Sequence, residues 1–229
     1  MKIQDKTMKL SDKTVNILKN FSQINKSIVI NPGNELSTLA VTKNILAFAK
    51  VKEDFTSKIC IYDLPEFIST FTLFKSPEFD FTNDNYMVIS DKGTKTSTQF
   101  FYADPSVITT APDKKISLPS VDVEFNVSDS DLDTLFKASR IYNVPDLFLV
   151  GDGSTMRMVV KDKKNDTSNN FSMEMGETDK VFTFYFKVEN MKLLPGNYRV
   201  QACKSVALFT SVNDDLEYYI ALEPDSTIG

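Results

Sequence analysis

One order of elements recurs along this chain and constrains its fold more than any single motif does. A helical pattern opens near residues 11, 63, 128 and 188, and each is followed by several period-2 segments rich in Val, Ile, Phe and Tyr. Helices are predicted over 11–24, 63–74, 128–142 and 188–194. Ser11 caps the first, and Asp63 caps the second with Pro65 in its first turn. Ser128 and Asp131 form a capping box in the third, with Asp in place of the usual Glu or Gln, and Pro195-Gly196 ends the fourth. Strands are predicted over 27–30, 45–51, 57–62, 86–90 and 96–102, then over 120–127, 147–150, 156–160, 171–175, 181–187, 198–202, 206–210 and 218–222. The chain reads as a helix-plus-sheet unit of about 55 residues used four times, twice per domain. It is a repeat of elements, unsupported by residue identity.

The two domains are expected over 8–103 and 120–229. Between them, residues 104–119 hold three prolines and little periodicity. Proline fixes φ and withholds a backbone donor, so this segment is read as an extended connector. Its Val107, Ile108, Ile116 and Leu118 either wall a peptide groove or cover the domain junction, and both readings stay open.

Composition excludes much chemistry. There is no histidine, which removes Ser-His-Asp triads, Cys-His pairs and histidine-bearing metal centres. Two cysteines, Cys60 and Cys203, are too few for a four-ligand zinc site and sit in alternating apolar patterns as buried thiols do. No phosphate-cradling glycine motif occurs. Asp146 with Asp152, or Asp214 with Asp215, remain formal acid–base pairs, but 151–154 reads as a hairpin and 213–215 as a loop. A non-enzymatic protein without metal or cofactor is expected. No apolar run is long enough to cross a bilayer and no secretion signal opens the chain, so an intracellular protein is expected.

Charge is sorted. The formal net charge is -5, yet Lys9, Lys13, Lys19 and Lys26 face a single acid, Asp12, between positions 9 and 26. On the first helix, Ile17, Leu18, Phe21 and Ile24 form one face, and Lys13, Asn16, Lys19, Asn20 and Gln23 the other. A cationic, amide-rich face suits a polyanion read without regard to sequence. A merely solvated face is the plainer alternative. The third helix runs acid-first, Asp129, Asp131 and Asp133, and base-last, Lys137 and Arg140, an order that favours the helix dipole whether or not a polyanion is met.

Specific strings carry a resemblance. Met8-Lys9-Leu10-Ser11 with Leu18-Lys19-Asn20-Phe21, Ile61-Tyr62-Asp63-Leu64, Ala103-Asp104-Pro105-Ser106, Asn190-Met191-Lys192, Pro195-Gly196-Asn197-Tyr198, and Ala221-Leu222-Glu223 with Asp225-Ser226-Thr227 lie in order along the chain. Together they resemble the DNA polymerase processivity clamps of T-even-type bacteriophages. Residues 1–7 precede the position where that family usually begins and are set aside as an extension.

The resemblance implies an α+β, two-domain DNA clamp fold, closed as a homotrimeric ring with helices lining the hole and antiparallel sheets outside. It implies sequence-independent binding of double-stranded DNA by Lys9, Lys13, Lys19, Asn20, Lys26, Lys137, Arg140 and Lys192. It also implies partners: the tail of a replicative DNA polymerase, an ATP-driven clamp loader and late-transcription factors, acting in the cytoplasm of the infected host cell. A pocket for partner peptides is expected at Ile116, Leu118, Leu222 and Pro224. Ring closure is expected to use edge strands over 96–102 and near 171–175. The alternative is a β-rich oligomeric structural or interaction protein of a phage that does not encircle DNA.

Overall fold

The computed structural model describes residues 7–91, 93–112 and 116–229. The chain divides into two compact units, Met1–Asp113 and Lys114–Gly229. The first contains β1 (Thr7–Met8), α1 (Asp12–Ile24), β2 (Ile28–Ile30), β3 (Gly33–Leu39), β4 (Ile45–Phe55), β5 (Ile59–Ile61), α2 (Leu64–Thr70), β6 (Pro77–Asp80), β7 (Tyr86–Asp91) and β8 (Ser97–Phe101). The second contains β9 (Val123–Val127), α3 (Asp129–Tyr142), β10 (Asp146–Asp152), β11 (Thr155–Lys161), β12 (Phe171–Glu177), β13 (Val181–Lys187), β14 (Tyr198–Ala202), β15 (Val206–Ser211), β16 (Leu216–Ala221) and β17 (Thr227–Ile228).

Local chemistry fixes the helix starts. The Ser11 hydroxyl accepts from Thr14 N–H, and the Asp63 carboxylate from Glu66 N–H. In α3, Ser128 and Asp131 cap each other reciprocally at 3.2 Å, so an Asp completes the box as the sequence predicts. Asn143 ends α3 in the left-handed conformation at φ 52°.

The fourth predicted helix is a correction. Over 188–194 the chain makes only one 3-10 turn, Val188–Asn190. Pro195 disfavours helical geometry at the residue before it, which leaves too short a run to nucleate. Buried tyrosines hold this stretch instead: Tyr198 Oη donates to Leu194 O at 2.5 Å, and Leu194 N–H donates to Tyr218 Oη at 3.2 Å. Burial pushes both phenols well above their ordinary pKa. The second helix is also shorter than predicted, since α2 tightens into a 3-10 turn over Phe71–Leu73.

In the first unit, β1, β6, β7 and β8 form one antiparallel sheet in that order, β3 pairs with β4, and β2 with β5. An aromatic cluster of Phe67, Phe71, Phe79 and Phe100 joins α2 to that four-stranded sheet. Strands β1, β3, β6 and β17 escape sequence reading, because each is either two to four residues long or, like β3, mostly polar. Thr7, set aside as extension, pairs with Asp80.

In the second unit, one sheet runs β12, β11, β10, β13, β17, and β9, β14, β15, β16 lie adjacent in another. The predicted hairpin at 151–154 joins β10 to β11, with Gly153 at φ +85°. A Cβ on Gly151 would collide with the Phe182 ring, so the close approach of β13 requires glycine there. Asp146 is buried at the start of β10. It accepts from Lys163 N–H and pairs with Lys187, whose pKa is raised by that hydrogen bond. Cys60 and Cys203 are both buried free thiols, as their apolar settings predict.

Candidate nucleic-acid interface and partner surface

Helix α1 packs against β3, β4 and α2, and it presents Asp12, Asn16, Lys19 and Gln23 outward at the i, i+4, i+7 and i+11 spacing of one helix stripe. Lys13 is exposed beside this stripe, and Lys9 and Lys26 are exposed near the helix ends. Lys9 is engaged within its own unit, donating to Ser76 Oγ at 2.9 Å and lying 3.4 Å from Glu78.

Asn20 does not join the stripe. It is only 5% exposed. Packing on both β4 and α2 widens the buried arc of α1 beyond its apolar residues, and Asn20 falls inside that arc.

The N-terminus of α1 is held by a residue that sequence reading misses. Glu53, buried on β4, accepts from Ser11 N–H and from Thr14 Oγ1, the latter at 2.5 Å. Burial alone would raise its pKa, but the hydrogen bonds from Thr14 and Ser11 outweigh this and hold the carboxyl below its usual 4.5. Nothing in an alternating strand pattern marks one outlying Glu as the cap of a helix 39 residues earlier. Glu53→Gln is expected to lower stability by about 1–3 kcal/mol, read by denaturant unfolding. The sign with pH follows from the depressed value: this stabilisation is complete above pH 4.5 and is lost as pH falls through the folded pKa, a loss the Gln variant should not show.

On α3, Lys137 and Arg140 are exposed, but Lys137 is paired with Asp133 at 2.6 Å across one helical turn. The outward face of α3 therefore balances Asp129 and Asp133 against Lys137 and Arg140, whereas α1 carries a net positive stripe with its flanking lysines. Lys192 is half-buried just after the 3-10 turn.

The partner residues divide similarly. Ile116 is 42% exposed, Leu118 is half-exposed and Pro224 is exposed. Leu222 is a correction: it is buried in the second unit, with its N–H bonded to Ser205 O, so it serves the core rather than an open wall. In the first unit Val107 is exposed, but Ile108 packs with Val29 and Cys60 and is not.

Both predicted edge strands end their sheets. β8 closes the β1-β6-β7-β8 sheet on one side, and β12 closes the five-stranded sheet of the second unit. Phe101, on β8, is 65% exposed. Ile141 is 76% exposed at the end of α3, which packs on β11 and β12. Among the described residues no group of three or more Cys, Asp or Glu is arranged to hold a metal ion, and no helix is long and apolar enough to cross a membrane.

Two units of this kind, each with a helix-backed antiparallel sheet, define a sliding-clamp fold. The chain superposes on A. fulgidus PCNA, solved with the C-terminal region of FEN-1 bound, at a TM-score of 0.69 and 12% identity, covering 96% of this chain and 98% of that one. It belongs to the sliding-clamp family of T4-like bacteriophages. It is 31% identical over 223 residues to the sliding clamp of Vibrio phage KVP40, covering 94% of this chain and 99% of that protein. It is 30% identical over 231 residues to that of Enterobacteria phage T4, covering 96% and 99%. Residues 124–224 match the family described as gp45 sliding clamp, C terminal.

Proposed function

We propose that three copies of this chain close head to tail into a ring around duplex DNA and tether the replicative polymerase to it. The observation that carries this reading is that, among the described residues, each unit ends a sheet in an unpaired strand edge, β8 in one and β12 in the other, within a chain of the sliding-clamp family. Two different edges make a heterologous contact, which closes only as a ring or runs on as a filament. Inside the ring the outward stripe of α1 turns to the duplex, with Lys13 and Lys19 as its principal cations and Lys9, Lys26, Lys137, Arg140 and Lys192 as peripheral ones. Asn20 is withdrawn from this set by its burial.

Topology rather than adhesion holds such a ring on DNA. Weak, sequence-blind and partly water-mediated contacts leave the barriers to sliding low. An acidic remainder of the surface repels phosphate from other faces. Residues 104–119 act as the connector between domains 8–103 and 120–229. Ile116, Leu118 and Pro224 receive short apolar tails, first that of the polymerase and, on the same platform, those of late-transcription factors. An ATP-driven loader opens the ring, since this chain offers no nucleotide motif.

The test is retention on DNA. A three-chain mass in solution, loading onto nicked circles and release when the circle is cut are the expected results. A stable oligomer indifferent to whether the DNA is circular or linear would instead favour the structural-protein reading. Replacing Lys13 and Lys19 together by Ala should leave the mass unchanged and impair processive synthesis. The dependence of log affinity on log salt should become shallower by about 0.9 for each phosphate that is no longer neutralised. Unaltered synthesis at moderate salt would remove both lysines from the hole.

A further inference from the structure

The connector is held from both of its ends by buried side chains, one in each unit. In the first, Asn25, the C-cap of α1, donates through Nδ2 to Thr109 O at 3.2 Å and to Leu39 O at 2.9 Å. Its Oδ1 accepts from Ser27 N–H at 3.0 Å and Ser27 Oγ at 3.1 Å, so this buried amide uses both its donor and its acceptor sides. Next to Thr109, Ile108 is packed on Val29 and Cys60. In the second unit, Tyr219 Oη donates to Ile116 O at 2.7 Å.

Tyr219 is the less expected of the two. Strand β16 alternates, so if Tyr218 faces the core, where it meets Tyr198, Tyr219 should face water. Yet Tyr219 is only 6% exposed and its hydroxyl ends on the connector backbone.

We propose that Asn25 and Tyr219 are positioning residues, each pinning one connector carbonyl within its own unit, and that Tyr219 thereby displays Ile116 and Leu118 before a tail arrives. This inference rests on the reading of Ile116 and Leu118 as a tail-binding surface. Carbonyls pinned in advance at Thr109 and Ile116 spare the bound state the conformational entropy of fixing those positions, which is of order 1 kcal/mol for each residue ordered. Neither residue touches the tail itself. Their effect lies in affinity, not in ring closure or DNA contact.

Tyr219→Phe deletes the one hydroxyl and keeps the ring that fills the site. The probe is the C-terminal peptide of the phage's replicative polymerase, titrated calorimetrically into the assembled protein. Tyr219→Phe is expected to bind it about five- to ten-fold more weakly, with a more unfavourable binding entropy and unchanged assembly mass. Without peptide, amides at residues 107–110 and 116–118 should be compared by hydrogen exchange. Those at 116–118 should exchange faster in Tyr219→Phe, and those at 107–110 faster in Asn25→Ala. Equal affinity in the unsubstituted and Tyr219→Phe proteins, or connector exchange unchanged in both variants, would overturn this inference alone. No binding by the unsubstituted protein would overturn the tail-binding reading and this inference with it.

Discussion

Replacing Phe101 by Asp is expected to leave single chains in solution in place of the three-chain ring proposed for the unsubstituted protein. Phe101 stands on β8, the strand that ends its sheet, is 65% exposed, and contacts Tyr86 of the neighbouring strand β7. A large apolar side chain on a sheet edge invites pairing with another chain, and a protein that does not aggregate through it has a designated occupant. Across the proposed contact, β12 offers the complementary edge and Ile141 an apolar flank. A carboxylate at the centre of such a contact costs about 2 kcal/mol or more, roughly thirty-fold in each interface. Because the ring needs all three interfaces, the cost falls three times on the closed state. The folded chain should hardly notice, since an exposed substitution of this kind changes stability by about 0.5 kcal/mol or less. Sedimentation velocity beside thermal unfolding separates the two effects. A three-chain mass for Phe101→Asp at micromolar concentration would remove β8 from the ring contact.

The second large effect is expected at the connector. Ile116→Asp combined with Leu118→Asp should abolish measurable binding of the polymerase tail, a loss of at least about a hundred-fold. Burying two carboxylates against apolar anchors without partners costs several kcal/mol. Ring mass and retention on circular DNA should be unaffected. Leu222, which the sequence places in the same pocket, is not part of this test, because its burial means an Asp there would damage the core of the second unit. Calorimetry with the polymerase tail peptide decides the matter, and normal affinity in the double variant would move the tail site elsewhere.

Where the sequence can be read, the determinants are local. The caps at Ser11, Asp63 and Ser128 are visible because a hydroxyl or carboxylate reaches a backbone N–H three positions on, and the structure has each of those bonds. The long period-2 strands are visible because their neighbours in sequence alternate between two environments. The edges at β8 and β12 are expected only through the ring that the family resemblance implies, and both strands end their sheets. The fourth helix is not: its apolar spacing is real, but Pro195 and the hydroxyls of Tyr198 and Tyr218 take the backbone another way.

The family itself, the sorted lysines of α1, the buried thiols and the absence of histidine chemistry follow from residue order and composition, since these depend on which groups are present and on contacts within one helical turn or strand. Tertiary structure alone decided that Asn20 and Leu222 are buried, that Glu53 anchors α1, and that Asn25 and Tyr219 hold the connector. Each of those outcomes turns on which surface covers a side chain from outside its own element. Hydrogen bonds spanning 39, 84 and 103 positions leave no periodic trace in the chain that makes them.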